Sequence, residues 1–236
     1  KNSTKEIINE INTYRDESKA AFLPRFFKTG KGEYGEGDQF IGVVVPNLRI
    51  VAKKHFDADF DTLRELLASP YHEYRLTALL ALTYRYAKLK DHTSRETCVN
   101  FYVSQVDAIN NWDLVDLSCY KILGHWLFDK DKQLLYDWAK ENHLWKQRIA
   151  MISCMHFVKQ GEFKDALAIA DLLQHHPHDL IHKAVGWILR EIGKEDEQLL
   201  VDYLTPRYKE MPRTMLRYAI ERFEEGKRKA FLNSTI

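Results

Sequence analysis

The sequence predicts an all-α fold, an α-solenoid of stacked antiparallel helix pairs. Three observations predict it. Helical apolar period runs through most of the chain, and no alternating stretch of useful length reads as a strand, Phe40 to Val45 coming closest. Long helices are expected to begin near Tyr71, Asn111, Leu144, Asp179 and Pro212, at successive spacings of 40, 33, 35 and 33 residues. Turn signals fall between these units at Ser69-Pro70, Gly161, His176-Pro177, Gly193 and Met211-Pro212. A helix pair repeated at this period is the mark of HEAT-like and related repeats, whose units bury their apolar faces only by stacking. The expectation is one repeat domain over 1–236.

Taken in order, the chain opens with a polar stretch, Lys1 to Glu10, that has no signal-peptide apolar region. Ser3 and Glu6 form a capping-box pattern that starts the first helix. Gly30 to Gly37 holds four glycines in eight residues and is a loop, either a connector or a substrate-facing segment. It matches no phosphate-binding fingerprint, since no GxGxxG follows a strand. Pro46 suits the first turn of a helix. From Phe56 onward short and long helices alternate.

With 45% hydrophobic and 29% charged residues among 236, the composition is that of a soluble globular protein with a sizeable core. No apolar run approaches the roughly 18 residues that span a bilayer. Cys98, Cys119 and Cys154 are odd in number, form no CxxC pair and lie in apolar helical stretches. They read as buried reduced thiols of a cytoplasmic protein. The net charge of +1 does not announce a nucleic-acid partner, so a basic surface has to come from segregation of charge.

Register supplies that segregation. When the long helices are aligned by apolar pattern, Arg75, Asp116, Arg148, Lys183 and Arg213 take equivalent places. Equivalent positions of a solenoid line one face, usually the concave one, and four of these five are cationic, which suits a phosphate backbone. Solvated bases paired with nearby acids give the same pattern. Asp116 is the exception, a carboxylate among bases. It lies four residues after Trp112 and beside the apolar stripe Val115, Cys119, Ile122 and Trp126, so it should edge the core without being buried in it. Lys183, Trp187 and Arg190 share one helix face, an aromatic between two bases that can meet a sugar while the cations hold phosphates. A core tryptophan with snorkelled bases is the alternative.

The run Asn110-Asn111-Trp112-Asp113-Leu114-Val115-Asp116, the segment Trp145-Lys146-Gln147-Arg148, the segment Lys183 to Glu191 and Met211-Pro212-Arg213-Thr214 resemble the AlkD-like DNA alkylation repair family. The similarity spans about Phe26 to Phe223. The resemblance implies a HEAT-like fold and a bacterial glycosylase that removes N3- and N7-alkylated purines from double-stranded DNA. It implies that Asp116 is the catalytic carboxylate and that Trp112 and Trp187 contact sugar and backbone, with Arg148 the matching arginine. It also implies excision without full enclosure of the base, so that bulky adducts are accepted, and a solenoid groove offers no obvious deep pocket. Two departures stand out. A family tyrosine near the first helices is replaced by Phe26 and Phe27, and the Gly30–Gly37 loop is longer.

The chemistry suits the residues. A cationic purine leaves as a neutral base, so no general acid is needed, and one fixed carboxylate stabilises positive charge developing on deoxyribose and orients water. Rings beside the sugar favour the same cation. No metal or cofactor is expected. His175, His176, His178 and His182 could suggest a metal site, and a helix-start and loop cluster is the simpler account. No lysine nucleophile is placed, so the enzyme is expected to be monofunctional; a monomer is expected. The alternatives are a non-catalytic DNA-binding relative, which needs the bases but not Asp116, and a protein-interaction scaffold, which needs neither.

Overall fold

The computed structural model describes residues 3–236; Lys1 and Asn2, in the polar opening stretch, lie outside them. The fold is all-α, and the described residues contain no strand, only an isolated bridge between Gln39 and Tyr71. The chain divides into two compact units, one up to Ile122 and one from Leu123. Among the described residues no helix is long and apolar enough to cross a membrane.

The first unit contains α1 (Thr4–Asn12), α2 (Glu17–Phe26), α3 (Val45–Lys54), α4 (Phe60–Leu67), α5 (His72–Lys88), α6 (His92–Ser104) and α7 (Trp112–Asp116). Ser3 caps α1 by accepting the Glu6 amide at 3.2 Å, half of the expected capping box. Pro46 sits in the first turn of α3, where its missing N–H costs nothing. α5 is the hub of the unit and is buried along most of its length, packing on α3, α4, α6 and α7. An almost wholly buried helix has apolar residues on every side, and α5 shows this from Leu76 to Leu82.

A five-residue π-helical segment, Tyr120–Gly124, follows α7, and then comes the short α8 (His125–Leu127). The second unit continues with α9 (Gln133–Lys140), α10 (Leu144–Lys159), α11 (Lys164–Leu173), α12 (Asp179–Glu195), α13 (Glu197–Leu204), α14 (Arg213–Ala219) and α15 (Glu225–Leu232). Here α10 packs on α12 and α12 on α14, while α9 and α11 pack on α10, and α11 and α13 on α12. Gly186 permits a close approach between two of these helices. A Cβ there would stand 2.5 Å from Tyr218 Cβ and 2.7 Å from the Met215 carbonyl, so α12 meets α14 nearly backbone to backbone.

The expected helix starts hold to within one residue at all five positions. Two details differ from expectation. The helix from Asn111 is not one long element, because α7 ends after five residues and a π-helical segment takes over; the apolar period at Val115, Cys119 and Ile122 keeps all three buried across the interruption. Gly193 does not separate two units but lies in the last turn of α12, where its missing side chain admits Leu200. Gly161, with φ of +82°, does end α10 as expected. The three cysteines are free and buried.

Candidate active site

The site in the first unit is built on a buried charged network beneath α7. His72, at the start of α5, is 2% exposed and touches two carboxylates. Its Nδ1 lies 2.6 Å from Asp38 Oδ2 and its Nε2 lies 2.8 Å from Asp113 Oδ2. Burial opposes charge on the ring, but Asp113 and then Asp38 outweigh it and the imidazole is pushed up to about 9. It therefore donates from both nitrogens as an imidazolium. Burial also opposes charge on Asp38, which is held below the usual carboxylate range by His72 and then Arg75. The imidazolium is packed against the stacked rings of Phe27 and Phe40, with centroids 4.8 and 4.6 Å away, which adds attraction for the charge.

Asp38 and its neighbours fix the Asn-Asn-Trp-Asp segment directly. Asn111, fully buried, donates Nδ2–H to Asp38 at 3.2 Å and accepts the Trp112 amide at 2.9 Å, capping α7. Asn110 accepts from Arg75 Nη2 at 3.2 Å. Trp112, half-buried, stacks on Phe27 with centroids 5.2 Å apart and an interplanar angle of 21°. Asp116, at the last position of α7, is half-buried, as its place on the helix wheel predicts. The glycine-rich loop is what brings Asp38 here. Gly35 is buried against the Phe27 carbonyl and Asn111 Nδ2, and a Cβ there would stand 2.4 and 3.2 Å from them.

A third buried carboxylate shapes the opposite side. Glu73 is 2% exposed and accepts amide N–H groups from Ile41, Gly42 and Val43, the last two at 2.7 and 3.1 Å. Gly42 makes this turn possible: its φ is +88°, and a Cβ would strike the Asp16 carbonyl at 2.1 Å. The Phe40–Val45 segment is thus an extended stretch tied to a side chain, and no ladder forms.

Between these walls lies a cavity of about 310 Å³. Phe26, Phe27, Phe40 and Trp112 supply rings to its lining, and Glu73, His72, Asp113 and Asp116 supply its charged groups. The sequence does not anticipate this cavity. Periodicity locates helix faces, but it carries no information on the space left where a loop, a helix start and α7 converge.

The expected cations fare differently. Arg75 is withdrawn from the basic stripe: it is 5% exposed, paired with Asp38 at 2.9 Å, and also donates to the Ser69 carbonyl at 3.1 Å. A buried arginine holding a structural carboxylate has no donor face for a phosphate. In the second unit Arg148 is likewise 5% exposed and donates to the Leu180 carbonyl at 2.5 Å, so its surroundings are those of a packed helix interior and not of a phosphate-gripping surface. Lys183, Trp187 and Arg190 do share one partly exposed face of α12, while Ala184, Val185, Ile188 and Leu189 are buried on the other. Lys183 pairs with Asp179 at 3.1 Å and Arg190 with Glu221 at 3.1 Å. Arg213 is exposed at the start of α14 and donates to the Leu232 carbonyl at 2.9 Å. The histidine cluster is engaged locally: His178 caps α12 by accepting the Leu180 amide at 3.0 Å, and His182 bonds to the His176 carbonyl at 2.5 Å.

Sequence reasoning does not single out Asp38, His72 or Glu73. The available signals are weak: Asp38 follows the glycine-rich loop at once, and His72 and Glu73 follow the Ser69-Pro70 turn.

Comparison with known proteins agrees with the all-α fold. The structure resembles one described as a predicted DNA alkylation repair enzyme from Enterococcus faecalis, with a TM-score of 0.68 and 14% identity over 89% of this chain and 97% of that one. It also resembles AlkD2 from Streptococcus mutans, with a TM-score of 0.55 and 15% identity over 89% and 99% of the two chains. These likenesses speak to the fold. A search of curated proteins returned no match. The sequence profile of the family described as DNA alkylation repair enzyme covers residues 7–223, which takes in Asp38, His72, Trp112 and Asp116, and the chain belongs to that family.

Proposed function

We propose that the protein is a monofunctional DNA glycosylase that hydrolyses the N-glycosidic bond of N3- or N7-alkylated purines in double-stranded DNA. The observation that carries this reading is the Asp116 carboxylate at the wall of an aromatic cavity, on a helix whose first turn is fixed by four buried polar residues. As the bond from C1′ to the purine breaks, its electron pair neutralises the cationic base, and positive charge develops on the sugar. Asp116 faces that charge at no reorganisation cost, since α7 is already held in place. A water oxygen then bonds C1′ and releases its proton to the carboxylate or to solvent. Trp112, stacked on Phe27, offers a fixed ring to the sugar.

In the second unit Lys183, Trp187, Arg190 and Arg213 are the groups proposed to meet the DNA backbone, because they retain exposure. Arg148 is proposed only as a support of α12. The three free, buried thiols support a reducing compartment, the cytoplasm, and we take the active form to be a monomer. The deciding experiment measures 7-methylguanine released from methylated duplex DNA by the protein and by Asp116→Asn. The reading expects release by the parent and a loss of about 10²-fold or more in the variant. Bound DNA without release by either protein turns it to a non-catalytic DNA-binding relative.

A further inference from the structure

We infer that His72 is a positioning residue for base release: clamped between Asp38 and Asp113, its imidazolium sets the seat of Trp112 and Asp116. This deepens the glycosylase reading and rests on it. His72 is almost wholly buried, so it acts through Asp113 and not on the substrate.

α7 cannot hold itself in place. It has five residues, against the roughly 12–15 below which an isolated helix is marginal, and the π-helical segment follows it. Its position is set from outside. Past its end, Ser118 donates to the Leu114 carbonyl at 2.6 Å and meets the buried Tyr102 hydroxyl at 2.7 Å. At its start the hold is ionic. Asp113 accepts the Leu114 amide on Oδ1 at 2.9 Å and the His72 ring on Oδ2. Trp112 stands between Asn111, tied to Asp38, and Asp113, tied to His72. Its ring rests on Phe27, and Phe27 rests on His72. Asp116 lies three residues after Asp113, one turn along the same face. A displacement of about 1 Å at such a group can cost about 10²-fold in rate.

The clamp needs the charged ring. An imidazolium donates from both nitrogens, whereas a neutral imidazole has one N–H for two carboxylates. Once the proton leaves, one carboxylate oxygen faces a ring lone pair. Asp38 still has Arg75 and Asn111 as donors, so the bond to Asp113 is the weaker point. The charged groups around the ring are Asp38 from the loop, Asp113 and Asp116 from α7, and Glu73 from α5 itself. α2 lacks a charge there and presents Phe27, and the segment before α3 presents Phe40. Burial opposes the charge, but Asp113 and then Asp38 hold the proton up to about 9. The clamp is therefore closed at neutral pH and opens in alkali.

The test measures single-turnover release of 7-methylguanine from duplex DNA against pH, with helix content and DNA affinity followed in parallel. Expected is an alkaline fall in rate centred near 9, at constant helix content and nearly constant affinity. His72→Gln should lose about tenfold or more in rate at neutral pH and lose the alkaline fall. Asp113→Asn removes the largest support of the ring's charge, so its fall should move to lower pH. Should His72→Gln not fold, Asp113→Asn carries the test. A flat alkaline profile, a fall unmoved in Asp113→Asn, or the parent rate in folded His72→Gln overturns the assignment. Trp112 fluorescence gives a readout that needs no base release. The parent should show an alkaline transition that is absent from Trp112→Phe and shifted in Asp113→Asn. That transition without base release by the parent removes the glycosylase and upholds the clamp. Base release without the transition overturns the clamp and leaves the glycosylase standing.

Discussion

Nε2 of His72 lies 2.8 Å from the Asp113 carboxylate, and that single bond joins α5, the hub of the first unit, to the helix that carries Trp112 and Asp116. The residue that holds the candidate site in place is therefore a titratable one. Its ionisation should set the pH range over which the unit is firm.

The sign follows from the direction of the shift. His72 is raised from 6.5 to about 9, so its stabilisation is fully present below about 6.5 and is lost as pH rises through 9. The shift corresponds to at most about 3 kcal/mol at roughly 1.4 kcal/mol per pH unit. Asp38 is lowered, so its share is present above its ordinary value and is lost only in acid. Denaturant unfolding measured across this range should show stability falling between about pH 6.5 and 9. In His72→Gln the protein should be weaker at neutral pH, and this slope should flatten. A slope unchanged by the substitution would reject the assignment.

Arg75 and Arg213 occupy matching places in the sequence pattern and should answer oppositely. Removing Arg75 leaves Asp38 buried beside one fewer cation, and breaking a buried pair costs about 3–5 kcal/mol. Arg75→Ala should thus lower the unfolding midpoint sharply. Arg213→Ala should leave stability nearly unchanged and reduce the salt slope of DNA binding by about one unit, the mark of one lost phosphate contact.

This pair also shows what the sequence makes legible. The starts of α5, α10 and α12 follow from periodicity and turn residues, because both are local properties. Asp116 and Trp112 stand out because an acid among bases is a local anomaly. The burial of Arg75 is not local. It depends on Asp38, 37 positions earlier, carried to it by a loop whose course turns on left-handed glycines at 32 and 37 and on the tight fit of Gly35. The cavity and the break in the helix after Asp116 are of the same kind: the apolar pattern persists through both.

Glu73 is the second support to test. Glu73→Ala would strip the acceptor from the amides of Ile41, Gly42 and Val43, each costing about 1–3 kcal/mol if left unpaired. The expected result is loss of several kcal/mol in chemical denaturation, or failure to fold. Gly42→Ala should be damaging for a separate reason, the clash with the Asp16 carbonyl.

Gly186 gives the matching test in the second unit. Gly186→Val should force α14 off α12 and destabilise by about 1–3 kcal/mol. Protection of the α12 amides from hydrogen exchange should fall, and an unchanged exchange pattern would contradict the close approach.

The stacked column from Phe40 through Phe27 to Trp112 has one more consequence. Phe27 and Phe40 face the cavity and also pack on the His72 imidazolium, so a substitution that reshapes the cavity also disturbs the buried network that holds α7. Phe22 and Phe26 are half in water, and Phe26 meets Phe27 and Trp112 only edge-on. The lip of the cavity can therefore change shape at little cost to folding, while its floor cannot.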